Sequence, residues 1–236
     1  MAKPYNEQQN KRQQIEEMFD TIAPRYDLLN KMLSIRIDRI WRKKLVKMAM
    51  KSSPSDILDV ACGTGDLTIA LHKRIPNAKF TGLDLSQQMI EIAKKKTEHI
   101  NCEFLHSEVE KIPISDNQFD LVTCAFGVRN FGNLELGLTE MARILRPNGK
   151  MMILEFSKAK NPLFKFYFKH ILPTIGGWIS GDKKAYQYLP TSVSEFPEKE
   201  KFVSLLKSIG MQSVNSKSLT GSIVTIYTCT KHNETN

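Results

Sequence analysis

The run Ile57-Leu58-Asp59-Val60-Ala61-Cys62-Gly63-Thr64-Gly65-Asp66-Leu67-Thr68 joins a short apolar stretch to a helical pattern through a tight glycine turn. It reads as a strand, a loop and a helix in which the backbone bends sharply and comes close to a ligand. Gly63 and Gly65 carry no side chain to obstruct either. About 20 residues further on, Lys79-Phe80-Thr81-Gly82-Leu83-Asp84 forms a second apolar run that ends in an acid. An acid at the tip of the second strand of a doubly wound sheet is placed to hold a ribose by its hydroxyls. The two motifs together predict a site for a nucleoside-containing cofactor. The alternative is an ordinary strand–helix turn that binds nothing.

The residues beside the glycines narrow the cofactor. The dinucleotide fingerprint G-x-G-x-x-G/A is incomplete, because Thr68 stands at its third position. Asp59 falls at the strand end, and Asp66 is positioned to cap the following helix. A pyrophosphate wants bare helix-terminal N–H groups and positive potential, and two carboxylates would repel it. S-adenosylmethionine carries no phosphate but has a cationic sulfonium and a cationic amine, which carboxylates attract. The turn therefore favours S-adenosylmethionine over NAD or FAD.

The chain of 236 residues is long enough for one large α/β domain with a full core. Its composition, 41% hydrophobic and 25% charged, is that of a soluble globular protein without low-complexity tracts or repeats. The net charge of +9 fits a nucleic-acid partner, an anionic membrane surface or solubility alone. Cys62, Cys102, Cys124 and Cys229 form no C-x-x-C pair and read as buried reduced thiols, so neither disulfides nor a metal site are expected. The polar N-terminus shows no secretory signal, and no apolar run reaches the roughly 20 residues of a membrane span. A cytoplasmic protein is expected.

Ile15, Met18, Phe19 and Ile22 have helical spacing over residues 11–22, and Pro24 is expected to end that helix. A second helical pattern uses Ile37, Ile40, Trp41, Leu45 and Val46. Its outer face carries Arg36, Arg39, Arg42, Lys43, Lys44 and Lys47 against the single acid Asp38. That face is either simply solvated or attracted to anionic lipid headgroups. Ser52-Ser53-Pro54-Ser55 is the clearest linker, dividing an N-terminal helical segment (1–52) from a sheet domain (53–236).

From there strands are predicted at 56–61, 78–84, 102–106, 119–125 and 150–156, with helices at 65–74, 86–97 and 133–145 between them. Ser86 is the N-cap of the second. This alternation predicts a Rossmann-like doubly wound, mostly parallel sheet with helices on both faces and ligands at the carboxyl ends of its strands. Glu108 and the segment Phe126-Gly127-Val128-Arg129-Asn130 should border the site. Residues 158–195 break the alternation and read as a lid at the substrate rim or a helix packed on the sheet edge. A helix at 198–208 precedes two strand-like runs, Met211–Lys217 and Ser222–Cys229, which suggest a closing antiparallel hairpin.

Asp56–Asp66 with Asp84 resembles the class I S-adenosylmethionine-dependent methyltransferases, whose seven-stranded sheet the closing hairpin fits. The resemblance is closer to the ubiquinone/menaquinone biosynthesis C-methyltransferases. It is carried by Tyr26-Asp27-Leu28-Leu29-Asn30 with Leu33-Ser34 and Trp41-Arg42, by Ala125-Phe126-Gly127-Val128-Arg129-Asn130, and by Arg143-Ile144-Leu145-Arg146-Pro147-Asn148-Gly149. Leu154-Glu155-Phe156-Ser157 and Tyr186-Gln187-Tyr188-Leu189 continue it. The resemblance implies cofactor contacts at Thr64, Asp84, Glu108 and Val109, beside Asp59, Gly63 and Gly65. The pair Glu108-Val109 departs from the usual Asp-Ala or Asn-Ala. Ala125 stands where some relatives have a serine, and Asn148 replaces a glycine.

The implied reaction is methylation of a ring carbon of a polyprenylated quinol, demethylmenaquinol giving menaquinol. The ubiquinone-pathway benzoquinol (2-methoxy-6-polyprenyl-1,4-benzoquinol) is the alternative substrate. A ring carbon is a good nucleophile only beside a deprotonated hydroxyl, whose pKa is roughly 10 unperturbed. Arg129 is the residue expected to stabilise that anion, with Asn130 and Tyr26 hydrogen-bonding the quinol oxygens; a structural ion pair with Asp120 or Glu155 is the other role open to Arg129. A polyprenyl tail implies at most peripheral, reversible contact with the inner face of the membrane. A nucleic-acid methyltransferase fits the charge, but the chain has neither the Pro-Cys nor the Pro-Pro-aromatic motif of those enzymes. An NAD-dependent oxidoreductase is disfavoured by Thr68 and Asp59.

Overall fold

The computed structural model describes residues 3–5, 10–34, 36–158, 166 and 183–233. Two helices, α1 (Lys11–Leu33) and α2 (Ile37–Ala49), precede the sheet. Then follow β1 (Asp56–Val60), α3 (Asp66–His72), β2 (Lys79–Asp84), α4 (Gln87–Lys96), β3 (Cys102–His106), β4 (Phe119–Ala125), α5 (Leu134–Arg143) and β5 (Leu145–Phe156). The chain closes with α6 (Lys183–Glu195), α7 (Lys199–Ser208), β6 (Met211–Leu219) and β7 (Val224–Lys231). The seven strands lie in the order β3-β2-β1-β4-β5-β7-β6. Only β7 runs against the others, being antiparallel to both β5 and β6. The doubly wound sheet and its closing hairpin are as expected from the sequence.

The central strands β1, β4 and β5 are buried on both faces, so adjacent residues feed opposite layers, while the edge strands β3 and β6 are largely half-buried or exposed. Leu58, Val122, Met151 and Ile153 pack with Leu138 and Met141 of α5 and Phe202 and Leu206 of α7. Their neighbours Ile57, Leu121, Met152 and Leu154 pack with Leu67 and Leu71 of α3 and with Trp41, Leu45 and Val46 of α2. Helix α2 thus shares a core layer with α3. Helix α1 instead crosses the carboxyl edge of the sheet, packing Ile15, Met18, Ile22 and Leu29 against Met89 of α4 and Tyr188 of α6.

Three local readings are corrected. Pro24 does not end the first helix, which continues to Leu33. Its side chain is exposed, whereas Ile22, Ala23 and Leu29 around it are buried, so packing on both sides of Pro24 outweighs one missing backbone hydrogen bond. Asp66 does not cap α3. Gly65, at φ +81°, occupies that position, and Asp66 is the acid of the first turn. The fifth strand begins at Leu145 rather than 150, with a bulge across 145–150 in which Asn148 takes φ +63°. Of the expected lid at 158–195, residues 159–165 and 167–182 lie outside the described residues. Among the described residues no helix is long and apolar enough to cross a membrane.

Because Pro24 interrupts an exposed stretch of a helix held by its neighbours, Pro24→Ala restores a backbone donor. Thermal unfolding should show stabilisation of about 1–3 kcal/mol. No change in midpoint would mean the helix has already relaxed around the ring.

Candidate active site

The strand order reverses between β1 and β4, and ligands of open α/β sheets bind outside the carboxyl ends at such a point. The glycine turn after β1 and the 3₁₀ turn Val128–Asn130 after β4 both stand there. Gly63 takes φ +53°, and a Cβ built on it would meet nothing nearer than Tyr26, 4.0 Å away, so its open side faces space a ligand can fill. The Gly63 N–H donates to Asp84 Oδ2 (2.7 Å) and the Ser86 N–H to Asp84 Oδ1 (2.9 Å), tying the turn to the end of β2. Gly65 lines neither of the cavities described below. It is needed for its left-handed φ and for close packing on Ala93 and Thr97.

Two cavities meet at this edge. The larger, about 400 Å³, is bordered by Asp59, Thr64, Tyr26 and Arg129, and by Trp41, Phe126 and Phe156. The smaller, about 80 Å³, lies between Asp84 and the pair Glu108–Val109. Phe19, Tyr26, Gly63, Phe126 and Asn130 face both. All of the expected site residues except Gly65 therefore line one or the other of two adjacent cavities.

Asp59 is 1% exposed and accepts hydrogen bonds from Thr68 Oγ1 (2.8 Å) and Thr123 Oγ1 (2.9 Å). Burial pushes its carboxyl up to about 6, against the pull of those two hydroxyls. Burial likewise raises Asp84. Neither acid has an ion-pair partner among the described residues. A cationic, phosphate-free ligand fits this donor set, and a pyrophosphate does not. Thr64 Oγ1 donates to Asp27 Oδ1 (2.6 Å), and Lys96 Nζ bridges Asp27, Thr64 and Asp66. Glu108 pairs with Arg12 of α1 at 2.8 Å.

On the acceptor side, Arg129 Nη1 pairs with the fully buried Glu155 at 2.8 Å and also bonds the Phe126 carbonyl. The ion pair allowed for in the sequence thus forms with Glu155; Asp120 pairs with Arg146 instead. Asn130 Oδ1 accepts from Tyr188 Oη (3.2 Å), and burial raises the Tyr26 hydroxyl.

Several contacts around the site were not anticipated from the sequence. Trp41 Nε1 donates to Thr220 Oγ1 (2.8 Å), bringing the β6–β7 turn to the cavity, because β7 starts beside Phe156 at the carboxyl end of β5. Arg42, expected on the outer face of α2, points inward to Asp38 and to Asp66 at 3.7 Å. Lys11 is nearly buried, with Nζ on the carbonyls of Phe131 (2.8 Å) and Arg129 (3.4 Å). No local pattern in the sequence marks a lysine at a helix start as a clamp on a turn 120 residues away.

A glycine turn flanked by unpaired acids, at the switch point of a seven-stranded sheet with this order, is the cofactor end of the Rossmann-like S-adenosylmethionine-dependent methyltransferases. A structure of that class from Thermotoga maritima, titled a possible histamine N-methyltransferase, superposes with a TM-score of 0.65 at 17% identity. It covers 92% of this chain and 99% of its own, and the likeness is of fold alone. Within the class the chain belongs to the ubiE/COQ5 methyltransferase family, which matches residues 7–231. It is 44% identical over 229 residues to the ubiquinone/menaquinone biosynthesis C-methyltransferase UbiE of Geotalea uraniireducens, covering 92% of this chain and 96% of that protein. To the demethylmenaquinone methyltransferase of Deinococcus radiodurans it is 42% identical over 216 residues, 89% of this chain and 90% of that one.

The buried Asp59 holds its proton more tightly folded (about 6) than unfolded (3.8), so it favours the folded state at low pH. That contribution is lost as pH rises through about 6, and above it the buried charge costs roughly 3 kcal/mol. Asp59→Asn, whose amide the two threonine hydroxyls can rotate to serve, should raise the unfolding midpoint at neutral pH and leave it unchanged near about pH 4. The same variant should bind S-adenosylmethionine more weakly by calorimetry.

Proposed function

We propose that this protein methylates a ring carbon of demethylmenaquinol to give menaquinol, using S-adenosylmethionine. The observation that carries the reading is the apolar cavity walled by Trp41, Phe126 and Phe156, opening directly onto the acid-flanked glycine turn. The names of the Deinococcus radiodurans and Geotalea uraniireducens relatives support the ring chemistry. Because the second name includes ubiquinone, the polyprenylated benzoquinol remains the alternative ring. The enzyme then works in the cytoplasm, on a tail that resides in the membrane, and needs neither a metal nor a nucleic-acid partner.

In this reading Asp59, Gly63, Gly65, Thr64, Asp84, Glu108 and Val109 form the cofactor end. Asp84 receives the ribose hydroxyls, and the side chains of Glu108 and Val109 flank the adenine. When bound, S-adenosylmethionine supplies a methyl group on an electrophilic sulfonium. Asp59 and the carbonyls of the glycine turn favour that positive charge, and the aromatic wall excludes water. Segment 1–52 works with the 53–236 domain rather than apart from it, since its two helices roof the site, and Tyr188 and Leu189 of α6 add to the wall.

Arg129 favours the phenolate form of the quinol. Its partner Glu155 cancels much of its field, so the drop in phenol pKa falls at the low end of about 1–3 units. Asn130 and Tyr26 orient the quinol oxygens, and holding the ring carbon in line with the transferred methyl supplies the rest as proximity.

Mass-spectrometric detection of menaquinol from demethylmenaquinol tests the reaction, and no methylated product would refute it. For Arg129 the simple Ala variant leaves Glu155 buried and unpaired, a loss of about 3–5 kcal/mol that confuses folding with catalysis. The double variant Arg129→Met/Glu155→Gln removes both charges. It should keep its fold and its cofactor affinity while turnover falls about 10–100-fold, as about 1–2 pKa units of lost phenolate stabilisation require. Unchanged turnover would remove Arg129 from the mechanism.

A further inference from the structure

Helices α1 and α2 line the large cavity with one side and show a different character on the other. Most large apolar side chains of the described residues are covered, yet Leu28 and Met32 of α1 and Ile40 of α2 are 51%, 49% and 53% exposed. Leu28 and Met32 are one helical turn apart on the same stripe as Arg25 and Lys31. Ile40 lies on a stripe with Arg36, Lys43, Lys44 and Lys47, all exposed. The two helices join at a tight corner, where the Ile37 N–H donates to the Ser34 carbonyl (2.9 Å).

No acid among the described residues pairs with Lys31, Arg36, Lys43, Lys44 or Lys47. Asp38 is buried and taken by Ser34 and Arg42, and Asp27 is held by Thr64 and Lys96. The one arginine of α2 that does face inward, Arg42, is the one with acids to meet. An apolar tip set in a ring of lysine and arginine matches the boundary of an anionic bilayer, where acyl chains lie under phosphate. A groove for single-stranded nucleic acid would present aromatic rings among the cations, and this face presents none.

We infer that the outward faces of α1 and α2 around Leu28, Met32 and Ile40 dock on anionic phospholipid. The inner faces of the same helices, with Tyr26, Ile37 and Trp41, then bring the cavity to the headgroup level, where a prenylated ring resides. The inference rests on the quinol reading for its purpose but not for its test.

The test is flotation of the full chain with extruded vesicles of phosphatidylcholine alone or with about one-third phosphatidylglycerol. The protein should bind the anionic vesicles at least about ten-fold more tightly and release them as salt rises. Leu28→Asp/Ile40→Asp and Lys43→Glu/Lys47→Glu should each reduce binding about ten-fold or more, with unfolding midpoints and turnover of a tailless quinol unchanged. Equal binding to both vesicle types, or variants that float like the parent, would overturn the inference. So would salt-sensitive binding of an RNA oligonucleotide, lost in the charge variant, without vesicle binding. Flotation that succeeds while no quinol is methylated would instead sink the substrate reading and leave the docking surface standing.

Discussion

The Gly63 N–H points out of the turn after β1 and finds its acceptor 2.7 Å away on Asp84, at the end of β2. The other oxygen of that carboxylate takes the Ser86 N–H, and the Ser86 hydroxyl caps α4 at Met89 while donating to Asp20 of α1 (2.5 Å). One buried acid thus fixes the glycine turn, the second strand's end and the start of α4, and through Ser86 reaches the helix that roofs the site. On the opposite side of the turn Thr64 is held by Asp27 of the same helix. Helix α1 is therefore latched to the cofactor turn at two points, Asp20 and Asp27, about two helical turns apart. The geometry of the turn and the placement of α1 depend on one another.

Burial of Asp59 and Asp84 without cationic partners is unfavourable for the protein alone, since a carboxylate taken out of water loses solvation that two or three hydrogen bonds only partly replace. A positive ligand relieves that unfavourable term, so part of the affinity for a sulfonium and an amine comes from the burial of these acids. In the proposed reading, a turn with so few side chains selects its ligand in this way. Shape is supplied by the glycines and sign by the acids, and a nucleotide pyrophosphate satisfies only the first.

The strands were legible because each is a short apolar run bounded by turn residues, and the sheet's two-sided burial follows from their alternation with helices. Strands β3 and β4 have the bounds read from the sequence. Pro24 misleads because its effect on backbone hydrogen bonding is local, whereas the clusters holding Ile22 and Leu29 are tertiary. Arg42 misleads similarly: a helical wheel places it among cations, but Asp38 and Asp66 draw it inward. The residues proposed for the cofactor end come together because they sit within a few positions of strand ends that the fold must bring side by side. The acceptor end was only partly legible. Thr220 and Lys11 come from distant segments, and the choice of Glu155 over Asp120 as partner of Arg129 is likewise decided only by the strand order.

Folds of this kind serve many reactions, so what distinguishes this chain is set outside the shared turn. The Arg129–Glu155 pair illustrates how. With Glu155 fully buried and Arg129 nearly so, the pair is not a route to stability, because apolar residues of similar size would pack there as well or better. Its physical consequence is orientation. Glu155 accepts from both the guanidinium and the backbone N–H of Arg129, Phe126 accepts a further bond, and Lys11 grips the carbonyls on either side of Asn130. The 3₁₀ turn thereby loses the freedom the eight-residue loop between β4 and α5 would otherwise have. A methyl transfer that depends on in-line geometry gains more from such a fixed wall than from an unpaired charge, whose stronger field would come with a mobile side chain.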